Sequence, residues 1–129
     1  MRTTQKNVLA ILAATVWINL SEFVRNQFML LAHWEKHYTD KGLVFPAEPV
    51  NGAMWGIWGT LFAIYIFIIS RRFSLVQTVA LCWVAGFVFM WLVIGNLGIL
   101  PFSILPYAIP LSIIEVLGAA WIVKKMAAK

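Results

Sequence analysis

The sequence predicts an all-α integral membrane protein, a bundle of four antiparallel transmembrane helices with both termini in the cytoplasm. Three observations predict it: the composition, four long apolar runs, and the distribution of lysine and arginine. Of the 129 residues, 62% are hydrophobic and 12% are charged, whereas a soluble domain has about 45–50% apolar and about 25% charged residues. So little polar surface indicates that the main solvent is lipid. We expect one four-helix transmembrane domain over residues 1–129.

Four segments are long and apolar enough to cross a bilayer as helices. About 30 Å of hydrocarbon requires about 20 helical residues, and the predicted spans are residues 7–32, 51–69, 75–97 and 104–123. These runs are longer than barrel strands and do not alternate between polar and apolar residues. Short turns join the last three spans, which predicts that they are neighbours. The one long connection, residues 33–50, is predicted to lie outside the membrane, and Gly42 could end a first helix that projects beyond it.

The loop charges predict the orientation. One side of the bundle would carry seven lysines and arginines, while the other would carry only Lys36 and Lys41, offset by three acidic residues. Positive residues gather on the cytoplasmic side, so we expect a plasma (inner) membrane protein with both ends inside. The net charge of +5 is explained in this way, and no basic stripe indicates nucleic-acid binding. The seven are Arg2, Lys6, Arg71, Arg72, Lys124, Lys125 and Lys129.

Polar side chains within the predicted spans are the main functional signal. An ionisable group in hydrocarbon costs about 2.5–3.5 kcal/mol on insertion scales, so Glu22, Arg25 and Glu115 are expected to face the interior of the bundle. Helical spacing places the two glutamates near the midplane and most other polar groups in the non-cytoplasmic half. The cytoplasmic half is almost entirely apolar.

This asymmetry predicts a pocket that opens away from the cytoplasm, has tryptophan and amide walls, and has an acid at its floor. Apolar walls with a few placed polar groups suit small ligands. A water-filled pore would require polar lining along its whole length. The predicted ligand-binding residues are Glu22, Arg25, Asn26, Asn51, Trp55, Trp58, Trp91, Asn96, Ser112 and Glu115.

Several of these features also have plain structural explanations. Glu22 and Arg25, three residues apart, could form an ion pair that fixes helix packing. Glu115 has no basic neighbour on its own helix, so it either meets Arg25 across the bundle or is protonated. His33 and His37 have the i, i+4 spacing of a weak metal site, although a solvated helix end explains them as well.

The preferred functional hypothesis is a small protein that binds or transports an apolar or amphipathic molecule. Four helices are few for alternating access, so transport would require a homo-oligomer. The Gly-x-x-x-Gly pair of Gly52 and Gly56 predicts close packing on a neighbouring helix, within or between protomers. The alternatives are an enzyme that acts on a lipid-soluble substrate, such as an isoprenoid or a quinone, and an accessory subunit of a larger membrane complex. No nucleotide loop, haem attachment motif or Ser/His/Asp arrangement is present, so no cofactor is predicted and enzymatic activity is left open.

Overall fold

The structure, a computed structural model, describes all 129 residues as five helices without a strand. Four of the helices are long and apolar enough to cross a membrane, as judged by length and composition. The prediction of an all-α protein with four long apolar helices is therefore confirmed. The helices are α1 (Thr3–Met29), α2 (Leu31–Asp40), α3 (Pro49–Ser70), α4 (Leu75–Asn96) and α5 (Phe102–Met126).

Local capping determines where the helices begin. Ser74 precedes α4 and accepts a hydrogen bond from the Gln77 backbone N–H, while the Gln77 side chain accepts one from the Ser74 N–H. This reciprocal arrangement satisfies two of the donors that a helix start leaves free. At the start of α3, the Asn51 side chain accepts the Glu48 N–H at 2.9 Å, and Pro49 occupies the first turn, where a missing N–H costs nothing.

The outer surface of the bundle is apolar. Only 26 of the 129 residues are buried, and large side chains such as Val16, Leu61 and Leu92 are more than 60% exposed. An apolar surface of this extent is not stable in water but matches a lipid environment. The structure thus supports a multi-pass membrane protein.

Hydrogen bonds identify what lies at each end of the bundle. At one end, which we call the termini end, the Asn7 side chain accepts the Ala128 N–H at 2.9 Å. There the Lys124 ammonium also donates to the carbonyls of Ser70 and Phe73, just before and within the turn that joins α3 to α4. At the other end, which we call the α2 end, the His37 ring lies 2.9 Å from the Gly98 carbonyl.

A cluster of thirteen buried apolar residues fills the core of the bundle. Helix α1 contributes Ala10, Ala14 and Ile18, and α5 contributes Val116, Ala119, Ala120 and Val123. Small residues at a helix contact allow close approach of the backbones, and α1 and α5 form the most extensive helix pair in the bundle. We call this cluster the apolar plug.

The connection predicted over residues 33–50 is largely helical, which the hydropathy pattern did not indicate. Helix α1 ends at Met29, and Leu30 breaks the helix with φ −113° and ψ 6°. Helix α2 then follows and ends before Gly42, whose φ of +72° is a conformation that favours glycine. Gly42 therefore ends a separate helix rather than a projecting first one.

Two of the long helices contain a π-helical segment, in which the backbone bonds span five residues instead of four. The segments are Val24–Met29 in α1 and Val84–Val88 in α4. In the first, the Leu30 N–H donates to the Arg25 carbonyl at 2.8 Å. Short π segments of this kind are rare and occur frequently at functional sites.

Candidate functional site: a charged cluster beneath an aromatic cavity

Arg25 lies between two buried carboxyl groups. Its Nη2 is 2.5 Å from Glu22 Oε1 on the same helix, and its Nη1 is 3.2 Å from Glu115 Oε1 on α5. Arg25 is 5% exposed, Glu22 is 6% exposed and Glu115 is fully buried. The guanidinium carbon also lies 5.3 Å from the centre of the Phe87 ring, a distance typical of a cation–π contact. We call Glu22, Arg25 and Glu115 the charged cluster.

Hydrogen bonds continue from the charged cluster to α2. Asn26 Nδ2 donates to Glu22 Oε2 at 3.0 Å, and Asn26 Oδ1 accepts the indole N–H of Trp34 at 3.1 Å. Both oxygens of Glu22 are thus occupied, one by Arg25 and one by Asn26. Because each link fixes the next side chain, the position of α2 is coupled to the geometry of the cluster.

Of the two carboxyl groups in the charged cluster, that of Glu115 has fewer hydrogen bonds. Its Oε2 atom is buried and has no hydrogen-bond partner. Its backbone carbonyl accepts the Trp17 indole N–H at 2.8 Å, which joins α1 to α5. Glu115 and Arg25 also border a small cavity of about 260 Å³ between α1 and α5.

A larger cavity of about 410 Å³ lies on the α2 side of the charged cluster. Glu22, Arg25 and Asn26 form part of its lining, together with residues from α2, α3, α4 and the segment before α3. Seven of its nineteen lining residues are aromatic. The volume falls within the range of about 300–1,000 Å³ that is usual for small-molecule sites. We call this space the aromatic cavity.

Seven of the ten predicted ligand-binding residues line the aromatic cavity. Asn51 lines it and also caps the start of α3. Trp58 packs edge-on against Phe87, with ring centres 5.8 Å apart. The seven are Glu22, Arg25, Asn26, Asn51, Trp55, Trp58 and Trp91.

The other three predicted residues are placed elsewhere. Glu115 contacts the cavity floor through Arg25 but lines the smaller cavity instead. Ser112 is buried on α5, where its hydroxyl donates to the Ile109 carbonyl and accepts the Trp83 indole N–H. Asn96 is exposed at the end of α4.

The two histidines hold α2 against the rest of the bundle. His33 Nδ1 lies 3.0 Å from the Ser103 hydroxyl at the start of α5, and His37 Nε2 bonds to the Gly98 carbonyl. No three His, Cys, Asp or Glu side chains come together in a group that could hold a metal ion. A role in positioning α2 accounts for both rings.

Gly52 and Gly56 do not pack against another helix of the same chain. A Cβ atom at either position would have no other heavy atom within 4 Å. Gly59, one turn further along α3, makes the close approach instead and packs directly on the Asn19 side chain. The predicted packing of Gly52 and Gly56 within one protomer is therefore wrong, and packing between protomers stays a prediction.

Several lining residues were not predicted. Gln27 borders the cavity, and its side chain makes no hydrogen bond within the protein; its signal, an amide directly after Arg25 and Asn26 in a predicted span, was present in the sequence. Trp34 also lines the cavity and was not among the predicted binding residues. The remaining unpredicted residues, such as Tyr38, Phe45 and Phe87, are ordinary apolar or aromatic residues whose spacing indicates nothing about a site.

Comparisons with protein families, with curated proteins and with solved structures found no match for this chain. A function is therefore inferred from the geometry alone.

Proposed function

We propose that this protein binds a small amphipathic molecule in the aromatic cavity, with its polar group against the charged cluster. The observation that carries the proposal is a nearly buried arginine at the edge of an aromatic-walled space. Such a residue is costly in a membrane, and here it lies where a ligand would meet it. A purely structural ion pair would not require a cavity beside it.

The surroundings support a binding site. Most of the apolar plug lies on the side of the charged cluster nearer the termini, the aromatic cavity lies on the α2 side, and Phe87 belongs to both. The two π segments meet at the cluster, since Arg25 belongs to one and Phe87 to the other. Rare backbone conformations on both sides of one contact are typical of a functional position.

The sidedness of the membrane is part of the proposal. With the lysine- and arginine-rich termini end in the cytoplasm of a cell, the α2 end and the aromatic cavity would face away from it. A ligand would then enter from the outer leaflet or from the outer solution. Transport would further require that the plug open, which one four-helix chain does not readily allow.

A binding assay with an uncharged bromoalkyl probe tests the proposal. The purified protein in lipid nanodiscs is titrated with 10-bromodecanol, whose bromine quenches tryptophan fluorescence on contact. We expect saturable quenching beyond that of free probe partitioning into lipid. The Trp58→Leu variant should lose a large part of it, because that indole lines the cavity.

Trp121→Leu is the matched control, because Trp121 is 52% exposed and lies near the end of α5 that contains Lys124 and Lys125. It should lower total fluorescence and leave the saturable component unchanged. Quenching that rises linearly with probe concentration, or that is equal in both variants, would exclude a site in the cavity.

The exposed face of Gly52 and Gly56 favours a second candidate, association with another membrane helix. The open space above both residues matches the small-xxx-small pattern of helix pairs. Gly56→Leu should then shift the crosslinked species in native membranes from dimer to monomer, and an unchanged crosslinking pattern would exclude this interface. The geometry gives the enzyme alternative no separate support, since both carboxyls bind one guanidinium.

A further inference from the structure

The charge arrangement at the cavity floor restricts the polar group of a ligand. Arg25 is the only cation there, and its charge is already matched by the two buried carboxyls beside it. A carboxylate or phosphate ligand would add a further negative charge to a poorly solvated cluster. Such a charge has a high desolvation cost that no free cation offsets.

A cationic ligand is also disfavoured. Both oxygens of Glu22 already accept hydrogen bonds from Arg25 and Asn26. The one free carboxyl oxygen, Glu115 Oε2, belongs to a residue that does not line the aromatic cavity. A cation in the cavity would therefore meet the guanidinium before it met an available carboxylate oxygen.

The unused hydrogen-bonding groups at the floor are mostly donors. A guanidinium has five N–H donors, of which the carboxyls of Glu22 and Glu115 take one each. The other three make no hydrogen bond within the protein, although Arg25 is only 5% exposed. The Gln27 amide at the cavity lining is also free. An uncharged group with acceptor oxygens, such as a carbonyl, would satisfy these donors.

The walls favour a flat ring over a flexible chain. Trp55 and Trp58 meet edge to face with centres 6.1 Å apart, and Phe87 and Trp91 lie 5.7 Å apart. Rings arranged in this way offer both faces and edges to a planar ligand. At the rim, Met54 is 60% exposed and Trp55 is 40% exposed, so an alkyl tail can leave the cavity toward lipid.

We infer that the ligand is an uncharged, planar ring that carries carbonyl oxygens and an apolar tail, the chemistry of a membrane-soluble quinone. The inference rests on the proposed function, because it names the class of molecule for the same cavity. The carbonyl oxygens accept from Arg25 and Gln27, and the ring packs against the indoles. No redox step is implied, since binding alone accounts for the arrangement.

A panel of four decyl probes separates the possible polar groups. The full chain in nanodiscs is titrated by calorimetry with a decyl-substituted benzoquinone, decanol, decanoate and decylammonium, and empty nanodiscs supply the blank. We expect the quinone to bind at least tenfold more tightly than the other three. If decanoate or decylammonium binds more tightly than the quinone, the inference is wrong while the proposed cavity stands. If no probe binds above the blank, the proposed function fails as well.

Two variants test the contacts. Gln27→Leu removes a side chain that supports nothing else in the protein, so it should fold normally and weaken quinone binding about 2- to 10-fold, the net effect of one hydrogen bond. Arg25→Lys keeps the charge but removes the planar fork, and it should weaken quinone binding more than decanol binding. Trp121→Leu is the control and should bind the quinone as the wild type does. Equal quinone affinity for the wild type and Gln27→Leu would overturn the assigned contact between Gln27 and the ligand.

Discussion

Removal of the Arg25 charge should destabilise the protein more than almost any other single change. Arg25→Met keeps an unbranched apolar stem but leaves Glu22 and Glu115, 6% and 0% exposed, without a counter-charge. Loss of one partner from a buried ion pair costs about 3–5 kcal/mol. At about 1.4 kcal/mol per tenfold change, this lowers the folding equilibrium constant by roughly 10²- to 10⁴-fold.

Neutralisation of the whole cluster should reverse most of that loss. In the triple variant Glu22→Gln, Arg25→Met and Glu115→Gln, no uncompensated charge is left in the core. Replacement of a buried ion pair by well-packed hydrophobic residues is often neutral, or stabilising by about 1–4 kcal/mol, and the glutamine amides here replace the buried charges with neutral polar groups. The triple variant should therefore be clearly more stable than Arg25→Met alone, although it lacks the hydrogen bond from Asn26 to an ionised Glu22.

Unfolding by sodium dodecyl sulfate in mixed micelles, followed by circular dichroism, measures both effects. Arg72→Met is the matched control, because Arg72 is exposed in the turn after α3, and it should change the unfolding free energy by about 0.5 kcal/mol or less. Equal instability of the single and triple variants would refute the electrostatic reasoning, and so would an Arg25→Met variant as stable as Arg72→Met.

Three further predictions test packing, topology and capping. Gly118→Ala should destabilise by about 1–3 kcal/mol, because the new Cβ would lie 2.5 Å from Cε2 of the Trp17 indole; an unfolding free energy equal to wild type would contradict this contact. In intact cells, with the single native cysteine replaced, a membrane-impermeant maleimide should label Lys41→Cys, whereas Arg72→Cys should react only after permeabilisation; the reverse pattern would invert the proposed orientation. Ser74→Ala should cost about 1 kcal/mol through loss of the N-cap of α4, as measured by the same unfolding assay, and rescue by threonine but not by valine would identify the hydroxyl as the cause.

The long helices could be predicted from the sequence because lipid imposes one strict rule. A backbone in hydrocarbon must satisfy its own hydrogen bonds, so an apolar run of sufficient length is helical whatever its neighbours are. The same reasoning found the buried charges: Glu22, Arg25 and Glu115 are too costly to face lipid, and the structure brings all three together. One alternative for Glu115, a contact with Arg25 across the bundle, is present.

Two predicted residues lie away from the aromatic cavity because depth along a helix does not fix which way a side chain faces. Ser112 lies on α5 three residues before Glu115, but its hydroxyl bonds to its own helix and to Trp83. A serine hydroxyl can donate its hydrogen bond to a backbone carbonyl in the preceding turn of its own helix. A polar side chain within a span therefore does not always indicate a ligand. Asn96 lies near the end of α4, as expected, but on the exposed surface of the bundle. Depth along the helix alone could not distinguish a side chain that faces the cavity from one that faces outward.

The π segment in α1 explains why the lining could not be read from a helical wheel. A regular α-helix has 3.6 residues per turn, so successive side chains are rotated by about 100°. If α1 continued as a regular helix, this rotation would fix the face on which Trp34 lies relative to Glu22. The five-residue bond from Leu30 N–H to the Arg25 carbonyl, followed by the break at Leu30, resets that count. Trp34 is thereby brought within 3.1 Å of Asn26, eight residues earlier.

That change of direction links the charged cluster to the cover of the cavity. Arg25 and Asn26 lie within the π segment, and α2, which begins just beyond it, supplies Trp34 and Tyr38 to the cavity wall. A molecule that bonds to Arg25 would act on the same stretch of backbone that sets the direction of α2. Helix α2 is also held by the two histidine contacts and by packing of Trp34 on the buried cluster that contains Leu30 and Leu100. If the proposed ligand occupies the cavity, its contact with Arg25 would be linked to the position of α2 through the six residues of the π segment, Val24–Met29.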